Sequence, residues 1–317
     1  MTAGAPLITH RQVQAGSLSM HVAEAGEGPL VVLLHGFPES WYSWRHQLTA
    51  LAAAGYHAVA PDQRGYCLTD APTDPALYTI LHLTGDVIAL MDALGEERAV
   101  VAGHDWGAPV AWHTALFRPD RIRGVIGLSV PYRPRGSSAP IATLRQHLGS
   151  GFYMVYFQQP GVADAELSRD PAMTFRRVLC SLGGEGTPMT LIPPGGGFLD
   201  ATVEPDGLPA WLTQQDIDSF VAQYDGAGFT GPLNWYRNLD RNWELTAAWQ
   251  HAQVDAPALF LAGDRDPVLT FVSTDGLETF VPNLTKSVLV PAAGHWIQQE
   301  RPAEVTSAML EFVAGLR

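Results

Sequence analysis

A chain of 317 residues, 46% hydrophobic and 16% charged, has the length of one large α/β domain with room for an insertion, and enough apolar material for a large core. Its 32 acidic side chains against 19 basic ones leave a formal charge of −13, which argues against nucleic acid and anionic membrane as partners. Cys67 and Cys180 make neither a disulfide framework nor a metal-ligand cluster, no apolar run approaches a membrane span, and residues 1–13 lack the apolar centre of a signal peptide. A reduced, cytoplasmic setting without metal or cofactor is therefore expected.

Residues 8–24 alternate loosely between turns marked by Gly16 and Gly26-Glu27-Gly28-Pro29, which predicts an antiparallel β pair at a sheet edge. Leu30–Leu34 is a short continuous apolar run, the mark of a strand buried on both faces of a parallel sheet. It runs into His35-Gly36-Phe37-Pro38-Glu39-Ser40, and residues 41–51 read as a helix. Backbone N–H groups in such a glycine-containing loop can converge on a developing oxyanion, although a plain strand-to-helix loop would look similar. Whether Phe37-Pro38 is cis is left open.

Residues 56–60 read as a strand with the loop Pro61-Asp62-Gln63-Arg64-Gly65-Tyr66. Residues 78–94 follow as a helix, with Ile80, Leu83, Val87, Leu90, Met91 and Leu94 at helical spacing and Gly95 as its stop. The next apolar strand, 99–102, enters Gly103-His104-Asp105-Trp106-Gly107 and at once a helix to Phe117. Strand, glycine-flanked turn and helix make the nucleophile elbow, written G-x-Ser-x-G in esterases and lipases. Here the middle residue is an aspartate, and a carboxylate attacking saturated carbon makes an alkyl ester. Asp as an ordinary helix N-cap is the plainer explanation of the same five residues.

A further strand is expected at 122–130. Strands alternating with helices to this point imply right-handed crossovers and a mostly parallel sheet. From Pro131 to about Leu245 no buried strand is evident. Helical stretches at 141–157, 173–182 and 216–224 flank a Gly- and Pro-rich loop, 183–209, too long for a plain connection and expected to be mobile. The region reads as a helical lid, giving a core of residues 1–131 and 246–317 with a lid at 132–245. The sheet resumes at 258–262, ending in Gly263-Asp264-Arg265-Asp266-Pro267, and again at 287–290, ending in Pro291-Ala292-Ala293-Gly294-His295-Trp296. Residues 302–316 close the chain as a helix, with Pro302 at its first position and Val305, Met309, Phe312, Val313 and Leu316 as its apolar stripe.

An alkyl ester on Asp105 needs water to cleave it, and water needs a general base. A histidine held by an acid is the usual solution. The order Asp105, then Asp264 or Asp266, then His295 is the nucleophile, acid, histidine order of α/β-hydrolases. The competing reading of His295 as a satisfied loop histidine is weakened by the matching acid and elbow.

Over nearly its whole length the sequence resembles the α/β-hydrolase-fold epoxide hydrolases, through HGFPESWYSW, APDQRGY, GHDWGAPVAW, YFQQPGVADAEL, GFTGPLNWYRN, GDRDP and GHWIQQERP in order. The resemblance implies water addition to an epoxide, giving a diol, with Asp105 as nucleophile and His295 activating the water under the orientation of Asp266 rather than Asp264. An acid after the preceding strand, used by some relatives, is closed off because residues 121–163 contain no Asp or Glu. Phe37 and Trp106 would donate backbone N–H groups to the ester oxyanion. Tyr153 and Tyr236 match the two lid tyrosines that bind and protonate the epoxide oxygen, with Tyr156 the nearest rival to Tyr153. His35, Phe37, Trp106, Tyr153, Tyr236 and Trp296 would contact substrate.

A phenol suits the acid role because its pKa of about 10 keeps it protonated at neutral pH, and an alkoxide in a dry pocket is costly without donors. Cys67-Leu68 depart from the family, which has glycine and a small or polar residue there, and that alters a loop rather than the chemistry. The expected partners are a small epoxide and water, for a monomer or homodimer. Two alternatives remain at this point: a haloalkane dehalogenase using the same aspartate, disfavoured by Phe37 where Asn often sits and by the two tyrosines, and a non-catalytic ligand-binding protein of the same fold.

Overall fold

The structure is a computed structural model that describes residues 6–316; the first five residues of the segment read above as lacking a signal peptide lie outside it. In chain order the elements are β1 (Thr9–Ala15), β2 (Leu18–Ala25), β3 (Leu30–Leu34), α1 (Arg45–Ala53), β4 (His57–Pro61), α2 (Ile80–Ala93), β5 (Ala99–His104), α3 (Gly107–Phe117) and β6 (Ile122–Leu128). Seven helices follow before the sheet resumes: α4 (Pro140–Leu148), α5 (Tyr153–Tyr156), α6 (Val162–Arg169), α7 (Pro171–Leu182), α8 (Gln214–Tyr224), α9 (Thr230–Arg237) and α10 (Leu239–Leu245). The chain ends with β7 (Ala258–Gly263), α11 (Leu277–Phe280), β8 (Leu284–Val290), α12 (Ile297–Glu300) and α13 (Pro302–Gly315).

The strands form one eight-stranded sheet in the order β1-β2-β4-β3-β5-β6-β7-β8. The β1–β2 and β2–β4 pairs are antiparallel, with Val13 opposite Met20 and Ala23 opposite Ala60, and every other pair is parallel. Side chains of a strand alternate between faces, so both faces must be covered when every position is apolar. That is what β3 shows. Val32 and Leu34 join Leu83, Val87 and Leu90 of α2 and Trp112 of α3 on one face. Val31 and Leu33 join Leu48 and Leu51 of α1 and Val305, Met309 and Val313 of α13 on the other. All five β3 residues are buried.

Two expected helices differ in detail. The helix at 41–51 begins as a 3-10 turn, Trp41–Trp44, capped by Ser40 Oγ on the Tyr42 amide at 3.2 Å, and becomes α1 only at Arg45. The stretch 141–157 is two helices, α4 and α5, because Gly149 takes a φ of +86° and breaks the ladder. Helices α6, α9 and α10 were not marked by the apolar periodicity. The strand expected to reach residue 130 stops at Leu128, where Ser129 turns at φ +66°. At Cys67 φ is +51°, a left-handed conformation that glycine adopts without strain, which accounts for glycine at this place in the family pattern.

The region between β6 and β7 sits on the loops that follow β3 and β4. The Trp235 indole N–H donates to Arg64 O at 3.0 Å and the Tyr224 hydroxyl to Glu39 O at 2.9 Å. Gly65 and Gly231 pass so closely that a side-chain carbon on either would strike the other's backbone. The long loop 183–209 is tied down at several points: Thr190 N–H to Ala201 O at 2.8 Å, Ile192 N–H to Gly151 O at 2.9 Å, and Gly184 N–H to the Glu300 carboxylate at 2.9 Å. Among the described residues no helix is long and apolar enough to cross a membrane.

Candidate active site

The sharp turn from β5 to α3 places Asp105 at φ +49°, a strained value for a residue with a side chain. Its neighbours have no room for one: a Cβ on Gly103 would collide with Gly107 O, one on Gly107 with Leu34 O, and one on Gly36 with Asp105 itself. The glycines therefore let β3, β5 and the loop after β3 close around the aspartate. Asp105 Oδ1 accepts the Phe37 amide N–H at 2.7 Å, across the cis Phe37-Pro38 loop. Asp105 Oδ2 faces His295 Nε2 at 3.3 Å.

His295 lies after β8, and its Nδ1 is 3.1 Å from each carboxylate oxygen of Asp266, after β7. Asp266 is buried and also accepts the Val268 N–H at 2.9 Å, whereas Asp264 is exposed at the turn. Geometry thus selects the same acid as the family pattern. The backbone of His295 is fixed as well, its carbonyl accepting from His104 Nε2 at 2.7 Å and Ser129 Oγ at 2.8 Å.

Charge follows from this packing. Burial alone would raise the Asp105 carboxyl, but the hydrogen bond and charge of His295, helped by His104 and the Phe37 amide, hold it below its ordinary range. Burial alone would lower His295, yet the charge of Asp266 and the hydrogen bonds to both aspartates raise it well above the usual imidazole value. Both shifts favour an imidazolium between two carboxylates.

Tyr153, at the start of α5, and Tyr236, in α9, face Asp105 from above with ring centroids 5.9 Å apart. Burial, and next the nearby Asp105 charge, push both phenols well above their usual value, so both stay protonated. Tyr156 is occupied elsewhere: its hydroxyl donates to Glu166 at 2.8 Å. The two tyrosine-bearing segments are braced to each other by Gln158 Nε2 on Tyr236 O at 2.9 Å and Arg237 Nε on Phe157 O at 3.2 Å, and Arg237 also pairs with Asp164 of α6.

The cavity under the lid has a volume of about 270 Å³. Phe37, Asp105, Tyr153, Tyr236 and His295 line its floor and ceiling, and Leu148, Met189, Leu191, Phe198 and Phe271 contribute apolar walls. Among the described residues no Lys, Arg or Glu lines it.

Three residues expected at the substrate lie outside the cavity lining. His35 is fully buried, with Nδ1 on Gly36 O at 3.0 Å and Nε2 accepting the Gln63 N–H at 3.1 Å, so both ring nitrogens serve the loop. Trp296 packs edge-on against the His295 ring at 4.7 Å and donates its indole N–H to Leu179 O at 2.9 Å. The Trp106 ring, edge-on to Trp235 and Tyr236, is likewise outside the cavity lining.

Conversely, Glu39 and His104 were given no role in the sequence reading. Glu39 is fully buried and accepts from Gly36 N at 3.1 Å, His104 Nδ1 at 2.7 Å, and Gln298 and Gln299 Nε2 at 3.0 Å each. The signal was an acid three residues past Gly36, directly after the apolar pair Phe37-Pro38. Among the described residues no group of three or more His, Cys, Asp or Glu side chains is placed to hold a metal ion.

Comparison with known proteins bears on fold and family. Residues 29–167 match the family model described as the alpha/beta hydrolase fold. The chain is 49% identical to epoxide hydrolase A of Mycobacterium tuberculosis, covering 99% of each, and 44% identical to epoxide hydrolase 3 of Siraitia grosvenorii, covering 96% of this chain and 98% of that one. The crystal structure of epoxide hydrolase A from Mycobacterium thermoresistibile superposes with a TM-score of 0.92 at 47% identity, over 98% of this chain and 99% of that one.

Proposed function

The chain belongs to the epoxide hydrolases of the α/β-hydrolase fold and adds water to an epoxide, and from that footing we propose which of its residues carry each step. The observation that carries the assignment is the split of the Asp105 carboxylate: Oδ1 on the Phe37 amide, Oδ2 toward His295 and the cavity, beneath two protonated phenols.

Asp105 Oδ2 attacks an epoxide carbon, the ring C–O bond breaks, and the alkoxide takes a proton from Tyr153 or Tyr236. His295, oriented by Asp266, gives its resting proton to the phenolate and, as neutral imidazole, then takes a proton from water as the water oxygen attacks Cγ of the ester. The tetrahedral oxyanion forms on Oδ1, where the Phe37 and Trp106 amides receive it. It collapses by expelling Oδ2 with the diol, and that oxygen takes the proton held by His295. The carboxylic acid left on Asp105 passes its proton to His295, which restores the resting imidazolium, and the cycle closes.

The same proposal divides the chain into a core of 1–131 and 246–317 and a lid of 132–245, since both tyrosines come from the second part and the triad from the first. It also takes the protein as a cytoplasmic monomer or homodimer, in keeping with two buried, unpaired cysteines and a charge of −13. The apolar walls favour epoxides with neutral substituents. Diol formation from styrene oxide tests the assignment. Asp105→Ala is expected to abolish turnover while a diol or amide ligand still binds, and retained turnover would overturn the role of Asp105.

A further inference from the structure

The lid loop 183–209 contributes an apolar wall to the cavity, and one carboxylate outside the cavity holds its inner turn in place. Glu166, in α6, accepts three hydrogen bonds: the Tyr156 hydroxyl at 2.8 Å, the Phe198 N–H at 3.0 Å and the Leu199 N–H at 2.8 Å. We propose that Glu166 is a positioning residue for specificity, clamping the turn Gly197-Phe198-Leu199 so that the Phe198 ring sets the width of the substrate cavity opposite Tyr153.

Four observations support the clamp. Phe198 is 3% exposed, lines the cavity, and sits 4.9 Å from the Phe157 ring and 6.2 Å from the Tyr153 ring, so a shift of this turn moves the wall that faces the lid acid. Gly197 lies directly against the carboxylate, and a Cβ there would collide with Glu166 Oε1, so the glycine is required by the clamp rather than by its own φ of −104°. The 3-10 segment Phe198–Ala201 is also held by Asp200 on the Gly197 N–H at 2.8 Å and by Arg177 on Leu199 O at 3.2 Å. It is Glu166, however, that takes the Phe198 and Leu199 amides, the two that carry the cavity-facing ring. Finally, Glu166 draws Tyr156 away, so that of the two tyrosines three residues apart only Tyr153 lines the cavity. Hydrogen bonds to a carboxylate are about twice as strong as neutral ones. A glutamine at 166 would keep one acceptor oxygen and turn an N–H₂ toward either the Phe198 or the Leu199 N–H donor.

This inference rests on the cavity being the substrate site, and Phe198→Ala tests that point separately. The measurement is kcat, KM and the enantiomeric ratio for styrene oxide, set against kcat/KM for propylene oxide, which is too small to reach the Phe198 wall. Glu166→Gln and Gly197→Ala are each expected to raise KM for styrene oxide and shrink its enantiomeric ratio by about tenfold, the scale of a sub-ångström misplacement, with propylene oxide little changed. Tyr156→Phe, which leaves both amide bonds in place, should stay close to the parent. If Glu166→Gln fails to fold, Gly197→Ala carries the same test from the other side of the contact. A lowered melting temperature with parental KM and enantiomeric ratio in both variants, while Phe198→Ala shifts them, would show a merely structural contact and overturn the proposal. Parental values in Phe198→Ala as well would overturn it together with the placement of substrate in this cavity.

Discussion

The Phe37 amide donates to Asp105 Oδ1 at 2.7 Å, so the donor proposed for the ester oxyanion is already engaged with the resting carboxylate. The two carboxylate oxygens are thereby made unequal before substrate arrives. In the proposed cycle Oδ1 is held where negative charge develops later, and Oδ2, 3.3 Å from His295 Nε2, is the oxygen left to attack. No reorganisation of the donor is needed between the two half-reactions, which is what makes such preorganised N–H groups effective.

An isotope experiment follows from that inequality. With enzyme in excess over epoxide in ¹⁸O-water, the first diol is expected to carry unlabelled oxygen from Asp105 Oδ2, and the peptide bearing Asp105 to gain one ¹⁸O. Label in the first-turnover diol would mean that water attacks the epoxide directly.

Much of this was legible in the sequence because burial on both faces leaves unbroken apolar runs, as in Leu30–Leu34, and because the elbow needs Gly103 and Gly107 at fixed spacing. The lid was less legible. Helix α9, Thr230–Arg237, has six buried residues of eight, including Gly231, Pro232 and Asn234, so no polar face marks its period. The choice between Tyr153 and Tyr156 depends on Glu166, ten residues beyond Tyr156, and no local pattern encodes that. His35 and Trp296 flank site residues in the chain, but the first serves Gln63 and the second Leu179, partners that only the tertiary fold supplies.

The phenols can be separated from the base by following the half-reactions. Tyr153→Phe and Tyr236→Phe are each expected to slow alkylation by about 10²-fold, with ester hydrolysis little affected. Rapid-quench measurement of the two steps decides it. Equal slowing of both would remove the tyrosine from the acid role. Because burial and Asp105 hold both phenols well above the usual value, neither should produce an alkaline limb near neutral pH.

The pH dependence should differ between the two steps. Asp105 is held below its ordinary range, so alkylation is expected to persist as pH falls to about 4. Hydrolysis needs His295 as neutral imidazole. In the resting enzyme the surrounding carboxylates raise its pKa well above the usual value, and alkylation cancels the Asp105 charge, so the pKa governing hydrolysis falls below the resting one while Asp266 still supports the imidazolium. Hydrolysis therefore fails at higher pH than alkylation, and acidification should make the alkyl-enzyme accumulate, as His295→Gln should at any pH. Intact-mass spectrometry after mixing with epoxide reads both. Parallel loss of the two steps on acidification, or no adduct in His295→Gln, would count against His295 as the hydrolytic base.

The last expectation concerns Glu39, which touches neither cavity nor triad. Its four donors come from three parts of the chain: Gly36 in the loop after β3, His104 at the end of β5, and Gln298 and Gln299 in α12. Burial would raise its carboxyl, but the charge and hydrogen bond of His104 and the Gly36 amide outweigh that and hold it below the ordinary range. His104 passes the restraint on, its other nitrogen meeting the His295 carbonyl at 2.7 Å. One carboxylate thus ties the oxyanion loop to the backbone of the base. Glu39→Gln keeps the shape but sets an N–H₂ group among donors, leaving at least one of them unpaired in a fully buried place. Breaking one side of a buried, hydrogen-bonded ion pair costs about 3–5 kcal/mol. A loss of that order in denaturant unfolding is expected, together with hydrolysis slowed more than alkylation, because the Phe37 amide must meet a tetrahedral oxyanion more closely than it meets a resting carboxylate. Unchanged stability with unchanged hydrolysis would show that Gly36, His104 and His295 hold their places without it.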